Sequence, residues 1–397
     1  RCRGPRRAQA RHSAGSRLTG VPLLVDAGPA VTVMRLETVE LQSFRSYPHL
    51  EFVPDPGTNL LIGDNGAGKT NLLEAIAYLS TLRSFRKAPD DALIASSADG
   101  AIVRGAVGAP VSNHTIEIEL SRAGRRRVLL DGKRPTRNAE LRSRLRCVTF
   151  LPDDLELAKG SAGQRRNLLD DIASQLRVTA GADQADLERS LRQRNALLRN
   201  HGPTADPDAL ASFEDAIAEA GSKVVAARHE TATRLGPYLQ DAYGTLADNR
   251  VEWSYESRWG DWEDEPAVLR SKLADALAGA RRKDMERRVT TVGPQRDEPR
   301  LFLDDRDSRT HASQGEQRSL VLALRLATFD LLAGTFDEPP VLLLDDVFSE
   351  LDPHRAEAVV DRLPIAQAFL TSARHGEVNA VNGARWTVDP AGKVVMA

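Results

Sequence analysis

Eight residues constrain this chain more than any others: Gly63-Asp64-Asn65-Gly66-Ala67-Gly68-Lys69-Thr70. They have the P-loop form G-x-x-x-x-G-K-T. The apolar run Leu60-Leu61-Ile62 before them reads as the end of a buried strand. Asn71 to Leu79 after them reads as a helix, with Leu72, Ile76 and Leu79 on one face. A strand, a tight loop and a helix are the context a P-loop needs. Glycines let the backbone close around a polyphosphate, and loop N–H groups at the helix N-terminus bind its charge. Lys69 is then expected to reach the β- and γ-phosphates of ATP, and Thr70 to ligate Mg²⁺.

The other half of such a site needs an acid at the end of a buried strand. Val341-Leu342-Leu343-Leu344-Asp345-Asp346 supplies it. Asp345 is the expected Mg²⁺ ligand and Asp346 the candidate general base for an attacking water, which makes Asp346 and Lys69 the expected catalytic pair. Ser349-Glu350-Leu351-Asp352 follows at once. Upstream, Ser313-Gln314-Gly315-Glu316-Gln317 opens an apolar-faced helix with capping-box spacing. It has the form of an ABC-type signature. Since the chain has its own P-loop, Ser313 and Gly315 are expected to serve the γ-phosphate of a second copy, in a head-to-tail homodimer.

Between these motifs the pattern changes twice. Ile102–Val107, Thr115–Leu120 and Val128–Leu130 read as strands of a β-rich lobe. That lobe carries Arg122, Arg125, Arg126, Arg127, Lys133, Arg134 and Arg137. Two readings of these cations stand: a charged hairpin edge, or a surface for nucleic-acid phosphates. From Leu155 to about Lys283 helical signals dominate. Phe213, Ile217, Ala220, Val224, Ala227, Thr231 and Leu235 form a seam, which Gly236-Pro237 is expected to end. Leu187, Leu191 and Leu198 suggest a partner helix. Trp253, Trp259 and Trp262 are expected to pack on this arm. Strand patterns resume at Val289–Val292 and Leu301–Leu303, and Ala368–Thr371 is the last strand candidate.

Bulk properties set limits. The 397 residues allow two domains or one with a large insertion, and the formal net charge of -2 neither requires nor excludes nucleic acid. The two cysteines, Cys2 and Cys147, form no zinc or disulfide spacing, which suits a reducing cytoplasm. No run approaches ~18 consecutive apolar residues, so no membrane span is expected. Residues 1–33 are basic and aperiodic, and are expected to be a disordered tail or a mis-called start, because Met34 begins a clean strand pattern. A DNA-binding arm is the alternative for that segment.

In this order the motifs resemble the RecF family, relatives of the SMC-like ATPases. Phe44-Arg45-Ser46-Tyr47, Gly63 to Ile76, Phe150 to Leu155 with Gly160-Ser161 and Arg165-Arg166, and Gly293-Pro294-Gln295-Arg296-Asp297 with the signature and Walker B carry the resemblance. Gln295 departs from the histidine frequent there. The resemblance implies an α/β fold: a P-loop ABC-type ATPase head with a β-rich lobe (34–154), an inserted helical arm domain (155–285) and a C-terminal part of the head (286–397). It implies ATP and Mg²⁺ as cofactors, with Arg45 beside the P-loop residues as nucleotide-binding, and weak DNA-stimulated hydrolysis used as a switch. It implies ATP-dependent homodimerisation, binding to single-stranded, gapped or double-stranded DNA, cooperation with RecR and RecO, and roles in gap repair and the SOS response. Two other readings remain: another SMC-like or ABC-type ATPase, or a DNA clamp whose ATP is structural. The switch residue is one of Thr371, Arg374 and His375.

Overall fold

The computed structural model describes residues 34–397 apart from 109–111, 138, 264, 350, 362, 364–366 and 374–380. Residues 1–33, Glu350, Arg374 and His375 lie outside the described residues. The central sheet has the order Val394–Met396, Ala384–Val388, Thr58–Ile62, Ala368–Ser372, Val341–Leu344, Cys147–Phe150. Its strands are parallel except for the Val394–Met396 edge. The P-loop strand sits inside it, between Ala384–Val388 and Ala368–Ser372.

Thr58–Ile62 and Val341–Leu344 are buried along their whole length. Their continuous apolar runs follow from being covered on both faces. Alternate side chains divide between two cores. Leu60, Ile62, Leu342, Leu344 and Leu370 face one that contains the helix Gln314–Phe336. Leu61, Val341, Leu343 and Phe369 face another that contains the helix Lys69–Thr81. That second helix is roofed by an antiparallel sheet of order Tyr47–Phe52, Arg35–Phe44, Gly100–Gly108, His114–Ser121, Arg126–Leu130. Residues Leu72 to Ser80 are therefore all buried, not just the stripe of Leu72, Ile76 and Leu79. The helix Gln314–Phe336 is apolar and long enough to cross a membrane; most of its apolar window lies inside this core.

The helical signals between 155 and 287 correspond to helices Ala162–Leu176, Ala180–His201, Pro207–Gly244 and Pro266–Arg287. Ile217, Ala220 and Val224 of the seam pack with Leu187, Leu191, Leu273 and Leu277. The seam does not stop at Gly236-Pro237. The helix runs on to Gly244 because Leu239, Ala242 and Tyr243 bury themselves in the core of the Gln314–Phe336 helix. Burial of three such side chains offsets the about 3 kcal/mol that an internal proline costs.

Three other expectations are corrected. Val251–Glu256 is a strand inside the helical stretch, paired with Glu298–Leu303 across the 285/286 boundary. Val289–Val292 is not a strand; it is pinned through Thr290 to Asn195 and Arg194 and through Thr291 to Asp284. Ala368–Ser372 is followed by two more strands of the same sheet. Of the tryptophans, Trp259 packs on the arm helices, Trp262 on His229 of the helix Pro207–Gly244, and Trp253 instead on the core of the Gln314–Phe336 helix. Trp259 Nε1 donates to Asp297 Oδ1 at 2.9 Å, and Trp262 stacks on His229 at 3.8 Å.

The arm is cross-tied by buried charge. Arg194, fully buried, donates to Asp284 at 2.7 Å, Glu214 at 2.8 Å and Thr290 at 2.9 Å. Burial pushes the Glu214 carboxyl up, but hydrogen bonds from Arg281 and Arg194 outweigh it and hold the group below its ordinary value. Removing one partner of such a pair strands the other in low dielectric. Asp284→Ala is expected to cost about 3–5 kcal/mol, seen as a clear fall in the thermal unfolding midpoint; an unchanged midpoint would show that the arm does not depend on this charge cluster.

Candidate nucleotide site

The site forms where the central strands end, the edge at which open parallel sheets bind ligands. After Ile62 the chain must turn at once into the helix Lys69–Thr81. Gly63 makes this possible, since a Cβ there would lie 2.3 Å from the Val388 carbonyl oxygen. Gly68 caps the helix with φ 108°, and a Cβ there would meet Ser46 Oγ at 2.7 Å. No other residue type fits either position. Ala67 N donates to the Asp64 carbonyl at 3.1 Å and closes the loop. Lys69 Nζ folds back onto the carbonyls of Gly63 at 2.8 Å and Asp64 at 3.0 Å.

The Walker B acids arrive from the next strand but one. Asp345, 6% exposed, accepts hydrogen bonds at Oδ1 from Thr70 Oγ1 and from Thr371 Oγ1, both at 2.8 Å. Thr371 Oγ1 in turn accepts from the Asp346 backbone N at 2.9 Å. Asp346 adopts φ 51°, a left-handed turn that ends the strand. Burial pushes the Lys69 ammonium below the ordinary lysine value, while Asp346, Asp345 and Asp64 pull it back up. A cavity of about 240 Å³ results. Asn65, Gly66, Gly68, Lys69, Thr70, Asn71, Arg86, Asp345, Asp346 and Thr371 line it. Of the three switch candidates, Thr371 is in this wall, and Arg374 and His375 are outside the described residues.

Arg86 also lines the cavity, although none of the motifs contains it. Its Nη1 donates to Asn71 Oδ1 at 3.1 Å. The loop is built onto the P-loop helix: Ser84 Oγ donates to the buried Glu74 carboxylate at 2.5 Å and accepts from Arg86 N at 3.1 Å. Ser84 and Glu74 are the signal that could have found it. Arg45 is placed differently from expectation. It makes a two-pronged ion pair with Glu74 at 2.9 and 3.1 Å and donates to the Ala92 carbonyl, and it does not line the cavity. Its work here is to hold the P-loop helix.

Ser313 and Gly315 are also outside this cavity. Ser313 is exposed at the start of the helix Gln314–Phe336. Its Oγ accepts from Glu316 N at 3.3 Å, and its N donates to Glu316 Oε2 at 2.7 Å, a complete capping box. Arg355, just after Ser-Glu-Leu-Asp, donates to the Gly315 carbonyl at 3.1 Å and to Ser319 Oγ at 2.8 Å. The two motifs are thus tied side by side. Gln295 donates to the Val292 carbonyl at 2.7 Å, and its loop is held by Arg228, which donates to Pro294 O at 2.8 Å.

The basic hairpin divides. Arg122 donates to the Ala95 and Ala98 carbonyls, Arg126 pairs with Asp90 and Arg127 with Glu119. Arg125, Lys133, Arg134 and Arg137 are exposed.

A loop-capped parallel sheet, a separate antiparallel roof and a signature helix rooted in a helical arm define the P-loop head of SMC-like ATPases. The model of the RecF/RecN/SMC N terminal domain matches residues 35–386. The DNA replication and repair protein RecF of Streptomyces avermitilis is 37% identical over 367 residues, covering 89% of this chain and 98% of its own. That of Symbiobacterium thermophilum is 38% identical over 344 residues, covering 85% and 91%. A structure of the recombination mediator protein RecF-ATP in the RecFOR pathway superposes with a TM-score of 0.86 at 29% identity, covering 93% of this chain and 99% of its own. An Smc head domain from Pyrococcus furiosus shares the fold, at a TM-score of 0.53 and 17% identity over 92% of this chain and 96% of its own. The chain belongs to the RecF family.

Thr371 is the residue to test here, because its hydroxyl serves both acids. Thr371→Val removes one hydrogen bond to Asp345 and strands the Asp346 N–H. The expected result is a fall of about tenfold in nucleoside triphosphate turnover, the size of one such bond, with the unfolding midpoint little changed. Unaltered turnover would mean that the pair is positioned without it.

Proposed function

We propose that this chain is an ATP-dependent DNA-binding protein of replication and recombinational gap repair. The meeting of Thr70 and Asp345 at 2.8 Å carries the reading. It brings two hard oxygen ligands to one point beside Lys69, the donor set that Mg²⁺ takes when phosphates and water supply the rest. Among the described residues no group of three or more His, Cys, Asp or Glu gathers, which fits a metal held mainly by its nucleotide. Mg²⁺ would lower the charge on the β- and γ-phosphates. The loop N–H groups from Asn65 to Thr70 cradle the phosphates, and Lys69 leaves its carbonyl partners to meet them. Asp346 takes a proton from the attacking water.

Arg86 lines the same cavity beside Asn71, where a guanidinium can meet phosphate oxygens. Ser313 and Gly315 are not among the residues lining their own P-loop cavity, and we assign them to the γ-phosphate of a second copy. The homodimer then holds two ATP molecules between its heads and opens when they are hydrolysed. The name of the relatives supports replication and repair as the setting, and the RecFOR pathway supports RecR and RecO as partners. SOS induction and a cytoplasmic location follow from the same reading. The preferred DNA, single-stranded, gapped or double-stranded, is a matter for binding assays.

Three variants test it. Lys69→Ala is expected to abolish ATP binding in a filter or fluorescence assay; ordinary affinity would refute the P-loop assignment. Asp346→Asn should keep ATP affinity and lower turnover by about 10²-fold or more, the scale of a lost general base. Zero turnover in both the unaltered protein and this variant would favour a clamp with structural ATP. Ser313→Arg should bind ATP as a monomer, and a dimer by light scattering would count against the shared site.

A further inference from the structure

The helix Pro207–Gly244 has 38 residues and is about 57 Å long. Its C-terminal turns are packed in the core of the signature helix through Leu235, Leu239, Ala242 and Tyr243. Its N-terminal turn lies at the other end of the arm, where Leu210 packs with Leu198, Ala205 and Met285. From Leu210 to Leu239 the helix covers about 43 Å. Two other helices, Ala180–His201 and Pro266–Arg287, both finish at that far end. Arg288 marks the junction: its Nη1 donates to the Arg199 carbonyl at 3.3 Å, and it lies against Gly202.

This far end is cationic. Arg199, Arg282, Lys283, Arg287 and Arg288 are all exposed. Arg282 pairs with Glu286. Arg199, Lys283 and Arg287 make no ion pair among the described residues. The acids nearby are Glu286, the buried Asp284 and Glu214 and, at the start of the long helix, Asp206 and Asp208. Beside the cations is a groove of about 480 Å³ lined by Pro203, Ala278, Gly279 and Met285, with Arg281, Arg282 and Glu286 at it; Arg281 pairs with Glu214 and Arg282 with Glu286. A Cβ at Gly279 would meet nothing within 4 Å. A helix-interior glycine weakens its helix, and no contact within this chain accounts for this one. It leaves room for a close approach from outside.

Two physical roles compete for these cations. Positive side chains favour helix C-termini by offsetting the macrodipole, and Arg199 and Arg287 sit in last turns. Lys283 and Arg282 lie a turn further back, where that effect has faded. Two helix ends bring the unpaired Arg199, Lys283 and Arg287 to the far end of the arm, and no Trp, Tyr or Phe is among the groove residues. A surface of that kind holds a phosphodiester backbone and reads no base. We propose that the far end of the arm is a DNA-contacting surface, binding the phosphates of duplex DNA about 40 Å along the long helix from the signature core. It rests on the reading of the chain as a DNA-binding protein.

The test uses the full chain with ATP and a fluorescein-labelled blunt duplex, followed by anisotropy across about 50–200 mM salt. The variant is Arg199→Ala/Lys283→Ala/Arg287→Ala. If each cation meets a phosphate, the slope of log K against log salt becomes shallower by about 3, and affinity near 0.1 M falls by at least about tenfold. ATP binding should be unchanged. Wild-type binding with the same slope and affinity in the variant would overturn the proposal and leave the DNA reading standing. A lowered unfolding midpoint with unchanged DNA binding would assign the cations to the helix termini alone. If the unaltered protein binds no DNA at any salt, both readings fall together. Should the triple variant not fold, Lys283→Glu alone is expected to weaken duplex binding, and equal binding overturns the proposal.

Discussion

One carboxylate oxygen joins three elements of this molecule. Asp345 Oδ1 accepts from Thr70 on the P-loop helix and from Thr371 on the neighbouring strand, at the end of its own strand. The Thr371 hydroxyl passes the constraint on to the Asp346 backbone. A buried carboxylate in such a place is costly unless its lone pairs are filled. Two hydroxyls fill them and fix the spacing between the phosphate-binding loop and both acids. If that spacing changed, Lys69 and Asp346 would no longer address the same small cavity.

The parallel sheet makes that point possible. Its strands send alternate side chains into two cores, one around the P-loop helix and one around the signature helix. The nucleotide edge therefore lies between two bodies of packing that meet along a single sheet. Arg45 and Glu74 secure the P-loop helix to the antiparallel roof. Arg355 ties the signature helix to the stretch after the Walker B acids. Arg325 of the signature helix pairs with Asp154, just after the edge strand Cys147–Phe150 of the central sheet, at 2.9 Å. Each pair links a motif to an element distant in sequence.

Much of the site could be read from residue order. Gly63 to Thr70 and Val341 to Asp346 are legible because each has a local physical signature: buried strand, then glycines or acids. Ser313 and Glu316 form the capping box that their spacing gives. What stayed hidden depends on tertiary partners. Arg86 is a site residue because Ser84, two residues before it, folds onto Glu74, a pairing that spacing alone does not announce. Arg45 lies close to the P-loop in family motif terms, yet Glu74 claims its guanidinium. Pro237 has a strong local signal to end a helix, and the buried Leu239, Ala242 and Tyr243 override it. The strand Val251–Glu256 alternates strictly, with Val251, Trp253 and Tyr255 apolar, and is legible in the sequence despite the helical stretch around it; only its pairing with Glu298–Leu303 is not.

A site shared between two copies makes a demand that a self-sufficient site does not. Lys69→Ala removes a P-loop and keeps a signature; Ser313→Arg does the reverse. Mixed together, they can form a pair with one intact composite site. The decisive measurement is ATP turnover in an equimolar mixture, set against each variant alone. The account predicts no turnover from either protein alone and clear turnover from the mixture. A mixture as inactive as its components, or full activity in Ser313→Arg by itself, would contradict it.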